Sequence, residues 1–306
     1  MGGLFLLAGG AESLVRGSSA LALRLGITPL VVGLTIIALG TSSPEIVVSI
    51  QSSLKGDSGL ALGNVIGSNI SNIALILGLS AVVRPLRVQA QIIRREIPLM
   101  VVVSLLLCLF LAGGQLNRLE GMLLLSGSIA YTVFAYLSAR RNKEKLIEEE
   151  FAEALPQPQG KVWVSVALII IGLALLIIGA KLLVGGAVTL AQGFGISQVV
   201  IGLTIVAVGT SLPELATSIA AARKDEGDIV IGNIIGSNVL NILFVLGIAA
   251  AIAPIQTGDL RLFDLVIMVV SAIIVFPLMR RGFQLTRGEG LCLLAGYVGY
   301  LYSLAP

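Results

Sequence analysis

Gly40-Thr41-Ser42-Ser43-Pro44-Glu45 and Gly209-Thr210-Ser211-Leu212-Pro213-Glu214 are one motif written twice, 169 residues apart. The copies extend without a gap from Val31 to Ser80: Gly33-Leu34-Thr35 returns as Gly202-Leu203-Thr204, Gly63-Asn64 as Gly232-Asn233, and Gly67-Ser68-Asn69 as Gly236-Ser237-Asn238. Asn72 and Gly78 find Asn241 and Gly247. Roughly half the positions of this stretch are identical, more than the shared composition of apolar helices supplies, so the chain is an internal duplication.

The surroundings of the motif place it in a bilayer. Of 306 residues, 56% are hydrophobic and 12% charged, against roughly 25% charged in a soluble domain, and the mean hydropathy is +1.01. Apolar stretches long enough to cross about 30 Å of hydrocarbon fall near 1–22, 29–53, 59–83, 97–112 and 119–138, then near 162–190, 198–222, 229–253, 262–279 and 289–304. The expected fold is therefore all-α and membrane-integral: ten transmembrane helices in two five-helix repeats, 1–139 and 162–306. The polar stretch 140–161, with its Glu148-Glu149-Glu150 run and Pro156-Gln157-Pro158, reads as a solvated linker. An odd number of spans per repeat makes the copies enter from opposite faces, which is an inverted repeat.

Charge orients the chain. The loops after the odd-numbered spans hold fifteen Lys and Arg, from Arg24 through Arg84, Arg140 and Arg223 to Arg287, whereas the other side holds Lys55, Arg118 and Arg261. The positive-inside rule makes the first side, with the linker, cytoplasmic and leaves both termini outside the cell membrane. The pI near 9.0 then reflects orientation, and nucleic acid is not expected as a partner; lipid is. Nothing in the sequence demands an oligomer, and a monomer is compatible with it. The amino terminus lacks the features of a cleaved signal peptide. At the 169-residue offset Met1 aligns with Ile170, while the second copy's apolar run begins near Val162, so the first helix reads as about eight residues shorter than its mate.

Chemistry is confined to oxygen. There is no histidine, and the two cysteines, Cys108 and Cys292, lie in separate apolar runs, which points to neither a disulfide nor a thiolate metal site. Pro44 removes a donor and crowds the carbonyl of Gly40, and Pro213 repeats the device with Gly209, so spans 2 and 7 should break near the midplane. Freed carbonyls inside a membrane need protein, water or an ion. Thr41 and Glu45 are four residues apart on one helix face with Ser42 beside them, and Thr210, Ser211 and Glu214 match them. An unpaired carboxylate near the bilayer centre costs at least a few kcal/mol, and no Lys or Arg is near either glutamate in sequence. A metal cation is the natural counter-charge. An all-oxygen shell suits Ca²⁺ and is acceptable to Na⁺.

Ser68, Asn72, Ser237 and Asn241 read as further ligands. Asn64, Asn69, Asn233 and Asn238 fit helix packing or ion contact equally, and the sequence leaves both open. Glu12, which aligns with Lys181, reads as a member of an interhelical ion pair or as a snorkelling side chain near a helix end. The acidic runs 148–153 and Asp225-Glu226-Gly227-Asp228 lack EF-hand spacing and read as solvated loops.

The doubled Gly-Thr-Ser-x-Pro-Glu motif, each copy followed by Gly-Asn and Gly-Ser-Asn, resembles the two alpha-repeats of the calcium/cation antiporter superfamily, in particular its compact prokaryotic sodium/calcium exchanger-like members. The resemblance covers essentially the whole chain. It implies an antiporter, not an enzyme, that exchanges Ca²⁺ for Na⁺ by alternating access in which spans 1 and 6 slide against the other eight. It also implies roles for single positions. Glu45, Glu214 and the carbonyls of Thr41 and Thr210 would coordinate Ca²⁺; Ser42, Ser68, Ser211, Ser237 and the carbonyls of Ala38 and Ala207 would complete flanking Na⁺ sites. No cofactor is implied beyond the transported ions. Many members carry aspartate where this chain has Asn241, which leaves two acids in the site and keeps H⁺, or a K⁺-involving cycle, open as the counter-transport. A cation channel and an intramembrane acid–base enzyme are the rivals from other classes.

Overall fold

In the computed structural model the described residues are 2–25, 28–148, 162–193, 207–258 and 260–304. They form helical rods in chain order: α1 (Gly2–Leu25), α2 (Pro29–Thr41) and α3 (Ser43–Leu54), α4 (Ser58–Val83), α5 (Ile97–Leu111) and α6 (Arg118–Glu148). After the linker come α7 (Val162–Gly193), α8 (Ala207–Thr210) and α9 (Leu212–Arg223), α10 (Gly227–Ile252), α11 (Leu262–Arg280) and α12 (Arg287–Leu304). By length and apolarity α4, α7, α10 and α11 can each cross a membrane, and α2 with α3, bent by 47° between them, makes a fifth. The expected span near 198–222 is described only from Ala207 onward; its earlier part, with Gly202-Leu203-Thr204, lies outside the described residues, as do linker residues 149–161.

Most rods end within a few residues of the expected spans. The exception is α6, which continues through Glu148 instead of stopping near 138. Residues 140–148 carry Lys, Glu, Leu and Ile and neither Gly nor Pro, so nothing local ends the helix where the hydrophobic stretch ends. The first part of the expected linker is therefore helical. As the offset predicts, α1 is shorter than α7, 24 residues against 32.

The 169-residue offset organises the tertiary structure as well as the sequence. Two short strand pairs close the ends of the bundle: β1 (Leu86–Arg87) with β4 (Gln284–Leu285), and β2 (Gln115–Leu116) with β3 (Ile255–Gln256). The offset carries β1 onto β3 and β2 onto β4, so each pair maps onto the other. Helix α5 separates β1 from β2 by a 15-residue rod, about 22 Å at 1.5 Å per residue, which puts the two pairs at opposite ends. Helix starts repeat too. Asn117 and Glu120 cap α6 reciprocally, with Asn117 N–H donating to Glu120 Oε2 (2.8 Å) and Glu120 N–H to Asn117 Oδ1 (3.0 Å); Thr286 and Glu289 do the same for α12.

Burial sorts the rods into layers. About four-fifths of the apolar windows of α4 and α10 are enclosed by protein, against 28% for α7 and α11, so α4 and α10 form the centre and the other two lie at the outside of the bundle. Helices α1 and α7 pack mainly on each other. A Cβ at Gly10 would lie 2.9 Å from the Gly172 carbonyl oxygen, and one at Gly179 would lie 2.9 Å from that of Gly3, two contacts that the offset interchanges. Only glycine permits this approach, the usual basis of close helix pairing where the surrounding solvent is as apolar as the side chains.

Candidate functional site

The breaks form where proline predicts them. Ser42 (φ −77°, ψ 9°) separates α2 from α3, and Ser211 (φ −87°, ψ 9°) separates α8 from α9. Pro44 and Pro213 sit at the start of the new helix, where a missing N–H costs little. Glu45 and Glu214 consequently occupy the first turns of α3 and α9, whose exposed amide dipoles favour negative charge. The Gly40 carbonyl is not free, however: the Ser43 hydroxyl donates to it at 2.7 Å. The second copy has Leu212 at that place and no hydroxyl to offer.

The two glutamates are buried, at 0% and 1% exposure, and among the described residues neither is ion-paired. Each accepts from a serine hydroxyl of the opposite repeat. Ser42 donates to Glu214 Oε1 at 3.0 Å, and its mate Ser211 donates to Glu45 Oε1 at 3.2 Å. Ser68 joins the same carboxylate at 3.4 Å and lies 3.3 Å from the Ser211 hydroxyl. The second oxygen of each glutamate, Glu45 Oε2 and Glu214 Oε2, is buried without a hydrogen-bond partner among the described residues. So are Asn72 Oδ1, Asn241 Oδ1 and the Ser237 hydroxyl.

Behind this group, two mirrored links lock the repeats together. The Thr41 hydroxyl donates to Asn233 Oδ1 (3.1 Å) and the Thr210 hydroxyl to Asn64 Oδ1 (3.4 Å). Asn64 donates to the Ser49 hydroxyl (3.1 Å) and to the Glu45 carbonyl, and Asn233 donates to the Ser218 hydroxyl (3.3 Å). Helices α4 and α10 each widen by one residue per turn from Asn72 to Leu77 and from Asn241 to Leu246, a local bulge common at functional sites.

Of the positions singled out from sequence, Thr41, Ser42, Glu45, Ser68, Asn72, Thr210, Ser211, Glu214, Ser237 and Asn241 are all buried, at the two breaks or on the helices around them. Ala38 is buried on α2, and Ala207 opens α8. Ser49 and Ser218, which fix Asn64 and Asn233, were missed; each stands one turn after its glutamate, and their repetition at the common offset is the signal that could have found them. Thr217, fully buried with its hydroxyl unpartnered among the described residues, has no counterpart because the first copy has Val48 there.

Glu12 forms the expected interhelical ion pair, with Lys224 (2.5 Å), where α1 crosses the end of α9, and it also lies 3.7 Å from Arg16. The carboxylates of the 225–228 loop are each engaged: Asp225 by Arg84 (2.8 Å), Glu226 by Ser19 and Asp228 by Gln89. Of these three carboxylates, Asp225 is ion-paired, whereas Glu226 and Asp228, the latter in the first turn of α10, accept from neutral side chains.

Buried acceptor oxygens from both repeats, two carboxylates among them, gather around the breaks, and among the described residues no cationic side chain pairs with either glutamate; a hard cation is the counter-charge that such a donor set suits. A family model for sodium/calcium exchanger proteins matches residues 1–137 and 164–305. The chain belongs to the sodium/calcium exchanger family. Its relatives within and around the family include the inner membrane protein YrbG of Escherichia coli, 42% identical over 318 residues that cover 99% of this chain and 96% of YrbG. The sodium/calcium exchanger MaX1 of Methanosarcina acetivorans is 32% identical over 347 residues, covering 99% of this chain and 96% of MaX1. Among solved structures, the sodium-calcium exchanger NCX_Mj soaked with Na⁺ and Sr²⁺ superposes with a TM-score of 0.86 at 31% identity, covering all of this chain and 97% of that one. Membership in this exchanger family accounts for the apolar helical body and makes the chain a membrane protein.

Proposed function

We propose that the chain is a secondary antiporter that exchanges Ca²⁺ for Na⁺ across the cell membrane by alternating access, with Glu45 and Glu214 at the centre of the transported-ion site. The observation that carries this is the pair of buried glutamates, each held through one oxygen by a serine of the other repeat and each with its second oxygen unpartnered among the described residues. Two negative charges in a dry, protein-enclosed site make closure without a cation costly, and a bound divalent ion or monovalent ions offset them. Passage is then coupled to occupancy. The ligand set extends to Ser42, Ser68, Ser211, Ser237, Asn72, Asn241 and the carbonyls of Ala38, Thr41, Ala207 and Thr210. The repeats 1–139 and 162–306 supply matching halves of the site, and both termini face outward.

Asn241, an amide where a third acid would add charge, supports a second reading in which H⁺ is the counter-ion and the exchanger is otherwise the same. Purified protein in sealed vesicles tests both. Vesicles loaded with Na⁺ should accumulate ⁴⁵Ca²⁺ against choline outside, and the uptake should vanish when Na⁺ is equal on both sides. Uptake driven by an imposed pH gradient and indifferent to Na⁺ would select the proton reading, and uptake that needs no opposing gradient would mean a channel.

A further inference from the structure

Four asparagines, Asn69 and Asn72 of α4 with Asn238 and Asn241 of α10, meet across the repeat boundary at the centre of the bundle, all of them buried. Their orientations follow from one fixed point. Asn69 Nδ2 donates to the backbone carbonyl of Asn238 at 3.2 Å, and since a carbonyl can only accept, the amide of Asn69 must present its Oδ1 on its other side. That oxygen accepts from Asn241 Nδ2 at 3.1 Å. The Asn241 amide is thereby turned so that its Oδ1 points away from the cluster, where it is buried with no hydrogen-bond partner among the described residues. The mirrored branch ends differently. Asn238 Oδ1 accepts from Asn72 Nδ2 at 3.1 Å, leaving Asn72 Oδ1 unpartnered among the described residues, but Asn238 itself donates to the Met100 thioether at 3.5 Å, a weak acceptor. The segment that begins at Asn241 packs against α3, which carries Glu45, and the segment that begins at Asn72 packs against α9, which carries Glu214.

We propose that Asn69 and Asn238 are positioning residues for the cation site: by gripping the NH₂ groups of Asn241 and Asn72 they hold two neutral amide oxygens toward the ion and keep the amide donors, which would repel it, out of the site. This rests on the cation-exchange reading above. The two branches are unequal. Asn241 is set by a backbone carbonyl and is the firmly oriented ligand; Asn72 is set through a thioether and is the looser one. Without Asn69, the Asn241 amide can rotate and present Nδ2 to the cation.

Equilibrium ⁴⁵Ca²⁺ binding to purified full-length protein, with a double-mutant cycle, tests the proposal, and thermal unfolding reports whether each variant is folded. Asn69→Leu is expected to weaken binding about tenfold, the worth of one well-made hydrogen bond in a buried site. Asn241→Leu is expected to weaken it at least as much, and the double variant to bind no worse than Asn241→Leu alone, because Asn69 acts through Asn241. Asn69→Ser, which is smaller and still polar, gives the same cycle should the leucine variant fail to fold. Met100→Leu is expected to change binding about twofold or less, and only when Asn72 is present. Additive losses from Asn69 and Asn241 would overturn the positioning role while leaving the site intact, since a packing residue weakens binding independently of the ligand. Undiminished binding in Asn241→Leu would overturn both the positioning role and the assignment of Asn241 to the site.

Discussion

Replacing Glu214 with Gln isolates charge from shape. The amide keeps the Oε1 that accepts from Ser42 at 3.0 Å, and it fills the same buried volume at the start of α9, so the helix break and the cross-repeat bond persist. What is lost is one of the two negative charges available to a divalent ion. Removing one member of a buried charge pair costs about 3–5 kcal/mol, which is on the order of a hundredfold to several-thousandfold in Kd. Calcium binding by the Gln variant should weaken by that factor, and vesicle uptake at micromolar Ca²⁺ should fall below detection, while thermal unfolding in the absence of Ca²⁺ shifts little or rises. Glu45→Gln should behave alike, because the offset of the repeats places it in the same setting. The assay is ⁴⁵Ca²⁺ equilibrium binding beside uptake into Na⁺-loaded vesicles. Binding within threefold of the parent in either variant would mean that this carboxylate does not hold the ion.

Three further outcomes follow from the same geometry. Ser211→Ala should weaken Ca²⁺ binding more than Ser42→Ala does, by about 1 kcal/mol or fivefold, because Ser211 touches both Glu45 and Ser68 whereas Ser42 touches Glu214 alone among its side-chain bonds; equal losses in binding assays would show that the two branches are equivalent. Gly172→Val should destabilise the α1–α7 pair by about 1–3 kcal/mol, seen as a lower unfolding temperature, since even a Cβ there would lie 2.7–2.8 Å from the α1 backbone; an unchanged unfolding temperature would mean that the pair is not close-packed. Cysteine pairs at 87/284 and at 115/256 should cross-link, and an impermeant thiol reagent should block one pair from each side of the membrane. Both pairs reacting from one side would contradict the inverted arrangement.

The duplication, the break at Pro44 and the burial of both motif glutamates were all legible in the sequence, because each rests on local chemistry: a gapless offset, a missing donor, and a carboxylate in an apolar stretch. Partners across the two halves were not. That Ser42 binds the glutamate of the other copy, and that Glu12 finds Lys224, depends on how helices cross, which one-dimensional spacing does not encode. The strand pairs were also hidden, since two residues are too few to show a period of two. The continuation of α6 to Glu148 was missed for a different reason: hydrophobicity marks where a helix could leave the membrane, and helix propensity decides where it ends. Thr286 and Glu289, by contrast, carry a capping signature readable in advance.

Glu45 and Glu214 are proposed to hold one cation between them. Crystals grown without divalent ions and soaked in Sr²⁺, a heavier stand-in for Ca²⁺, report this directly through the anomalous difference map. A peak is expected between the two carboxylates, within coordination distance of at least one oxygen from each, about 2.3–2.6 Å for Ca²⁺ and slightly longer for Sr²⁺. A map with no peak there, or with its peak outside the bundle, would contradict this placement.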